Sequence, residues 1–146
     1  MLEFLRYLEQ QFEITSGSLK SFLGMKINLL NDNSILINQK SYAEKLVKRF
    51  CLENANSVQI PADPNSIASI FEEEGEKIKV PYKEAIGSLL FLAMVYRPDI
   101  AFSVGVLSRF SENPTKIHWN AVKRIIKYIK WTAEYGLIYK SNNDCS

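Results

Sequence analysis

Hydrophobic and polar positions along this chain change their period several times. Leu2, Leu5, Leu8 and Phe12 recur at helical spacing with Glu3, Arg6, Glu9 and Gln10 elsewhere on the wheel, which predicts a short amphipathic helix over 2–11. A brief strand is expected at 12–14 and a turn at Thr15-Ser16-Gly17-Ser18. From Lys20 to Leu30 the period becomes two, with Leu23, Met25, Ile27 and Leu29 on one face and Phe22, Gly24, Lys26 and Asn28 on the other. Asn31-Asp32-Asn33 then supplies side chains that tolerate left-handed backbone, and Ile35 and Ile37 alternate after it, completing a β-hairpin. Helical spacing returns at 41–50, where Tyr42, Leu46 and Phe50 form one stripe.

Residues 53–80 break the pattern with Pro61, Pro64 and the acidic run Glu72-Glu73-Glu74-Gly75-Glu76, and read as a linker or long surface loop. Beyond it Pro81, Pro98 and Pro114 each lead into a helical run, because proline at the first helical turn loses no needed N–H. The runs span 82–95, about 99–110 and about 115–132. The first is apolar nearly all round and should sit at the centre of its lobe. Gly136 is expected to stop the last helix, and Leu137-Ile138-Tyr139 to form a short strand. The fold class is therefore α+β and mostly helical: an N-terminal helix and β-hairpin over 1–52, a linker over 53–80, and a helical lobe over 81–146.

Composition narrows the class. With 47% hydrophobic and 23% charged residues the chain is globular rather than disordered. The longest nearly uncharged apolar stretch, Ala85–Tyr96, is well short of the roughly twenty residues a bilayer crossing needs. Charged residues from the third position onward exclude a signal peptide. Cys51 and Cys145 have no metal-binding spacing and are expected to be free thiols of an intracellular protein, cytoplasmic or nuclear. The net charge of +2 is unevenly spread: +2 over 1–50, −4 over 51–80 and +4 over 81–146. An acidic strip thus separates two mildly basic parts, a pattern open both to a polyanionic partner and to ordinary solvated surface.

Catalytic parts are sparse. His118 is the only histidine, so no multi-histidine metal site exists within the chain; beside Trp119 near a helix start it has a structural reading and a phosphate-contact reading. No Gly-x-Ser-x-Gly elbow or Gly-rich phosphate loop occurs. Asp32, Asp63, Asp99 and Asp144 are scattered, whereas two-metal phosphoryl transfer needs carboxylates converging on metals about 4 Å apart. No catalytic residue, metal site or cofactor is expected.

Binding chemistry is clearer. At about 100° per residue, Lys116, Lys123, Lys127 and Lys130 fall within about 60° of one another, with Arg124 flanking them. A lysine line suits phosphates, which it touches without reading sequence; it equally suits a solubilising helix face. Lys26 and Phe22 share the less apolar face of the hairpin and form a second, weaker candidate.

Eight ordered motifs carry a resemblance: Phe-Leu-Gly-Met-Lys-Ile (22–27), Ile-Asn-Gln-Lys-Ser-Tyr (37–42), Pro-Tyr-Lys-Glu-Ala-Ile-Gly-Ser-Leu-Leu-Phe-Leu (81–92), Arg-Pro-Asp-Ile-Ala-Phe-Ser-Val (97–104), Leu-Ser-Arg-Phe (107–110), Asn-Pro-Thr-Lys-Ile-His-Trp-Asn-Ala-Val-Lys-Arg (113–124), Tyr-Ile-Lys-Trp-Thr (128–132) and Gly-Leu-Ile-Tyr (136–139). Together they resemble the copia-type (Ty/copia) LTR-retrotransposon Pol polyprotein, between the polymerase active site and ribonuclease H.

The resemblance implies that the hairpin ends a reverse-transcriptase palm and is similar to a primer grip, with Phe22, Leu23, Gly24 and Met25 as contacts and Gly24 permitting close backbone approach. It implies that the helices after Pro81 form a thumb and the start of a connection. There Lys116, Lys123, Arg124, Lys127 and Lys130, with Lys26 from the hairpin, would meet the backbone of an RNA/DNA template–primer duplex. The family's Tyr-x-Asp-Asp strand, whose carboxylates hold Mg2+, would lie upstream of Met1. The expectation is a reverse-transcriptase fragment that grips but does not polymerise, partnered by the remainder of such an enzyme and not by membrane. A non-enzymatic nucleic-acid-binding module and a protein-interaction module are the alternatives. Trp131 stands where the family has glycine and Tyr96 where a small polar residue is common, departures that read as drift.

Overall fold

A computed structural model of the chain describes residues 12, 21–22, 25–63, 71 and 76–140, and the statements below concern these. The expected helix at 2–11, the turn at 15–18, Leu23, Gly24, Cys145 and the acidic run 72–75 lie outside them.

The fold is α+β and mostly helical. β1 (Ser21–Phe22), β2 (Met25–Leu29), β3 (Ile35–Asn38) and β4 (Leu137–Tyr139) form one antiparallel sheet in sequence order. The continuous strand expected over 20–30 is instead two strands, because the chain reverses between Phe22 and Met25 and sets Ser21 opposite Lys26. Phe22 is thus in register with Met25, and Ser21 stands opposite Lys26, where the alternation expects Phe22 and Lys26 on one face. The second reversal follows expectation. Leu30 N–H bonds the Ser34 carbonyl at 2.8 Å, the Asp32 carboxylate takes the Ser34 N–H at 3.0 Å, and Asn33 adopts φ 62°.

α1 (Lys40–Arg49) buries Ala43, Leu46 and Val47, and it ends in a Schellman closure. Cys51 N–H bonds the Lys48 carbonyl, Leu52 N–H bonds the Val47 carbonyl, and Cys51 takes φ 55°, the left-handed position usually given to glycine. The helix joins the same core as α2 (Tyr82–Val95), α3 (Ala101–Ser108) and α4 (Lys116–Trp131). A 3-10 turn at Pro98–Ile100 leads into α3.

The bounds of α2 match the apolar run, yet its burial is one-sided. Tyr82, Ala85, Ile86, Leu89, Leu92 and Ala93 are buried, while Phe91, Val95 and Met94, the last 85% exposed, face outward. An apolar residue marks a position that tolerates burial; neighbours decide which positions receive it, and here α1, α3 and α4 cover only one side.

β4 returns beside β3, with Ile37 opposite Leu137 and Ile35 opposite Tyr139. Gly136 does not end α4, which stops at Trp131 with Thr132 as its cap. Its role is close approach: a Cβ there would lie 2.6 Å from Leu36 Cδ1 and 3.0 Å from the Ile37 carbonyl oxygen. Among the described residues, no helix is long and apolar enough to cross a membrane.

Candidate nucleic-acid interface

α4 is built for one buried front and one basic line. Thr115 starts it with a capping box, its N–H donating to His118 Nδ1 at 3.0 Å. That bond assigns the proton of a neutral ring to Nε2. His118 is buried and stacks on Phe110 at a centroid distance of 4.0 Å, so its role is structural and it offers no open phosphate contact. Val122, Ile125, Ile126 and Ile129 complete the buried front, each contributing about 1.5–3 kcal/mol by leaving water.

On the opposite side Lys116 is exposed, and Lys123, Arg124 and Lys127 are half-buried. Four cations elsewhere in the described residues are held in ion pairs. Lys40 pairs with Glu134, Arg49 with Glu84, and Lys83 with Glu112 at 3.8 Å. Arg97 bonds Asp99 through two guanidinium nitrogens, at 2.9 and 2.7 Å, and Tyr128 donates to the same carboxylate at 2.8 Å. Lys116, Lys123 and Lys127 form no ion pair among the described residues.

Lys130 parts company with its stripe. Its ammonium bonds the carbonyls of Glu53 and Ala55, the latter at 2.9 Å, and so pins the turn after α1 against α4. Spacing places Lys130 on the line correctly, but spacing does not reveal that backbone carbonyls from 75 residues away occupy it. Downstream of that turn, Val58 and Pro61–Asp63 come over α3 and α4, enclosing with Lys123, Arg124 and Lys127 a cavity of about 360 Å³.

The hairpin residues are less defined as a site. Met25 is half-buried and Lys26 exposed, with Asn38 opposite Lys26 across the sheet. Asp99, a carboxylate held by Arg97 and Tyr128, is structural. Burial raises its pKa, the Arg97 and Tyr128 bonds lower it by more, and the net position is below the ordinary carboxylate value. Among the described residues no three His, Cys, Asp or Glu side chains converge as metal ligands.

Sequence reasoning missed Tyr96. Far from neutral drift, it is buried, and its hydroxyl reaches carbonyls of both β3 and the approach to β4. Trp131 is partly exposed and edges onto the Tyr135 ring at 5.8 Å.

No family model matches the chain, and no solved structure matches it. Curated relatives do. A Retrovirus-related Pol polyprotein from transposon TNT 1-94 of Nicotiana tabacum is 38% identical over 133 residues, 86% of this chain and 10% of the relative. The Retrovirus-related Pol polyprotein from transposon RE2 of Arabidopsis thaliana is 30% identical over 142 residues, 95% of this chain and 10% of the relative. Secreted RxLR effector protein 161 of Plasmopara viticola is 48% identical over 58 residues, 40% of this chain and 41% of that protein. This chain spans about a tenth of both Pol polyproteins, and over most of its own length it is homologous to a segment of the retrovirus-related Pol polyproteins of transposons.

Proposed function

We propose that the chain is a piece of a copia-type reverse transcriptase that holds template–primer duplex by its phosphates without supplying the polymerase's carboxylates. The observation that carries this reading is the side of α4 where Lys116, Lys123 and Lys127 remain outside the ion-pair network that engages Lys40, Arg49, Lys83 and Arg97. Arg124 adds a fourth cation. Cations on a helix held rigid by a buried opposite front meet a phosphate backbone at fixed spacing and carry no base preference. In the same proposal the hairpin around Phe22–Met25, with Lys26, acts as the primer grip. Lys130 is a clamp on the protein's own backbone and is left out of the phosphate set.

Fluorescence anisotropy on a labelled primed RNA–DNA duplex tests it. At low salt the chain should bind with a Kd in the micromolar range or weaker, indifferent to sequence, as non-specific phosphate binders do. Lys123→Ala with Lys127→Ala should weaken binding about tenfold, the order expected for losing two phosphate contacts. Absence of binding at low salt, or binding untouched by the double substitution, contradicts the proposal.

One observation favours a second reading, a protein-interaction surface. Phe91, Met94 and Val95 form an outward apolar strip on α2, of the kind that marks contact sites. Light scattering separates the readings: self-association abolished by Met94→Lys supports the contact, and a monodisperse monomer opposes a self-association surface.

A further inference from the structure

The cavity between the 58–63 segment, α3 and α4 has chemistry that a backbone-tracking lysine line does not require. Val58, Pro61, Val106, Leu107, Ile117 and Ala121 give it a broad apolar wall. Lys123, Arg124 and Lys127 stand along that wall, against the single carboxylate of Asp63. Ser103 and Asn120 add neutral hydrogen-bonding groups. Arg124 Nε is buried with no hydrogen-bond partner among the described residues, although buried guanidinium donors ordinarily find an acceptor. A volume of about 360 Å³ lies within the range of small-ligand sites.

Each property removes a class of occupant. Three cations against one carboxylate disfavour a neutral apolar ligand. The apolar wall is wasted on an inorganic anion, which would fill only the basic side. The hydrogen-bonding groups at Ser103 and Asn120 suit a body with polar edges better than a plain hydrocarbon chain. The lining has no aromatic ring, so a bound base would be held by apolar contact and edge hydrogen bonds rather than by stacking, which points to modest affinity.

We infer that this cavity is a subsite for one nucleotide unit, with the phosphate at Lys123, Arg124 and Lys127 and the nucleoside against the wall formed by Ile117, Ala121 and Val106. The inference rests on the phosphate-gripping reading of α4 and adds to it one unpaired nucleotide whose phosphate shares Lys123, Arg124 and Lys127 with the duplex backbone. Lys130 holds the Glu53 and Ala55 carbonyls just ahead of the segment that forms the cavity wall.

The test uses the full 146-residue chain with isoleucine, valine and alanine methyls labelled for NMR. Adenosine monophosphate, adenosine and inorganic phosphate are titrated separately. Adenosine monophosphate should saturate with a Kd below about 1 mM and shift the methyls of Ile117, Ala121 and Val106, while adenosine and phosphate each bind at least about tenfold more weakly. Asn120→Trp, at an exposed position on the rim, should obstruct the cavity and weaken the monophosphate at least about tenfold.

Binding of the monophosphate no tighter than phosphate, or unmoved cavity methyls at saturation, overturns the subsite. Duplex binding measured on the same samples separates the two ideas. Lysine-dependent duplex binding without monophosphate binding sinks the subsite alone. Monophosphate binding with lysine-independent duplex binding sustains the subsite and sinks the duplex grip.

Discussion

The Tyr96 hydroxyl lies 2.7 Å from the carbonyl oxygen of Ile37 and 2.9 Å from that of Tyr135. One phenolic proton therefore serves two acceptors, tying the end of α2 to β3 and to the segment entering β4. Tyr96→Phe keeps the ring and removes the tie. It should cost about 1–3 kcal/mol in urea unfolding, because two part-buried carbonyls lose their donor. A variant as stable as the parent would show that water satisfies both carbonyls.

Cys51 occupies a left-handed position at φ 55°, where a Cβ is unfavourable by about 1–2 kcal/mol. Cys51→Gly should stabilise the chain by roughly 0.5–1 kcal/mol, the gain being reduced by glycine's larger unfolded-state entropy. Gly136→Ala should do the reverse, since the Ile37 carbonyl oxygen would sit 3.0 Å from the new Cβ. Denaturant midpoints of the two variants should move in opposite directions.

The acid limb of stability depends on Asp99. Its folded pKa is lowered: burial opposes the shift, and the bonds from Arg97 and Tyr128 overcome it. A carboxylate of this kind stabilises the fold above its unfolded value of about 3.9 and loses that contribution as pH falls toward the folded value. Asp99→Asn should cost roughly 1.5 kcal/mol at neutral pH, the low end for charged hydrogen bonds because the carboxylate is partly exposed. It should also flatten the stability profile below about pH 4.

The alkaline limb depends on phenols. Burial raises the pKa of both Tyr82 and Tyr96 above the ordinary 10.0. Both therefore contribute fully below the unfolded value near 10, and that contribution is withdrawn as pH climbs beyond it. Tyr82 donates to the Leu107 carbonyl at 2.9 Å in the core. Tyr82→Phe should reduce the loss of stability measured between about pH 10 and 12.

The sequence pattern carried the helices well, because their apolar stripes and leading prolines are local signals. α2 spans the expected residues, and α4 falls within one residue of its expected bounds at each end. What escaped is what distant neighbours decide. Lys130 is placed on its stripe by helical geometry, but its ammonium is taken by the Glu53 and Ala55 carbonyls. Gly136 reads as a helix stop, yet it answers to Leu36 across the sheet. The break between β1 and β2 was hidden because Leu23 and Gly24 continue the alternation that a single strand would show. The basic line itself was legible; the cavity beside it was not, since the 58–63 wall has no periodic signature.

The salt dependence of duplex binding decides whether Lys123 and Lys127 touch phosphate. Each phosphate contact releases counterions, contributing about 0.9 to the slope of log K against log salt for a duplex. Measured from about 50 to 200 mM salt, Lys123→Ala with Lys127→Ala should lower that slope by about two, whatever the duplex sequence. Equal slopes for the parent and the double variant would contradict this, because Lys123 and Lys127 would then not be touching phosphate.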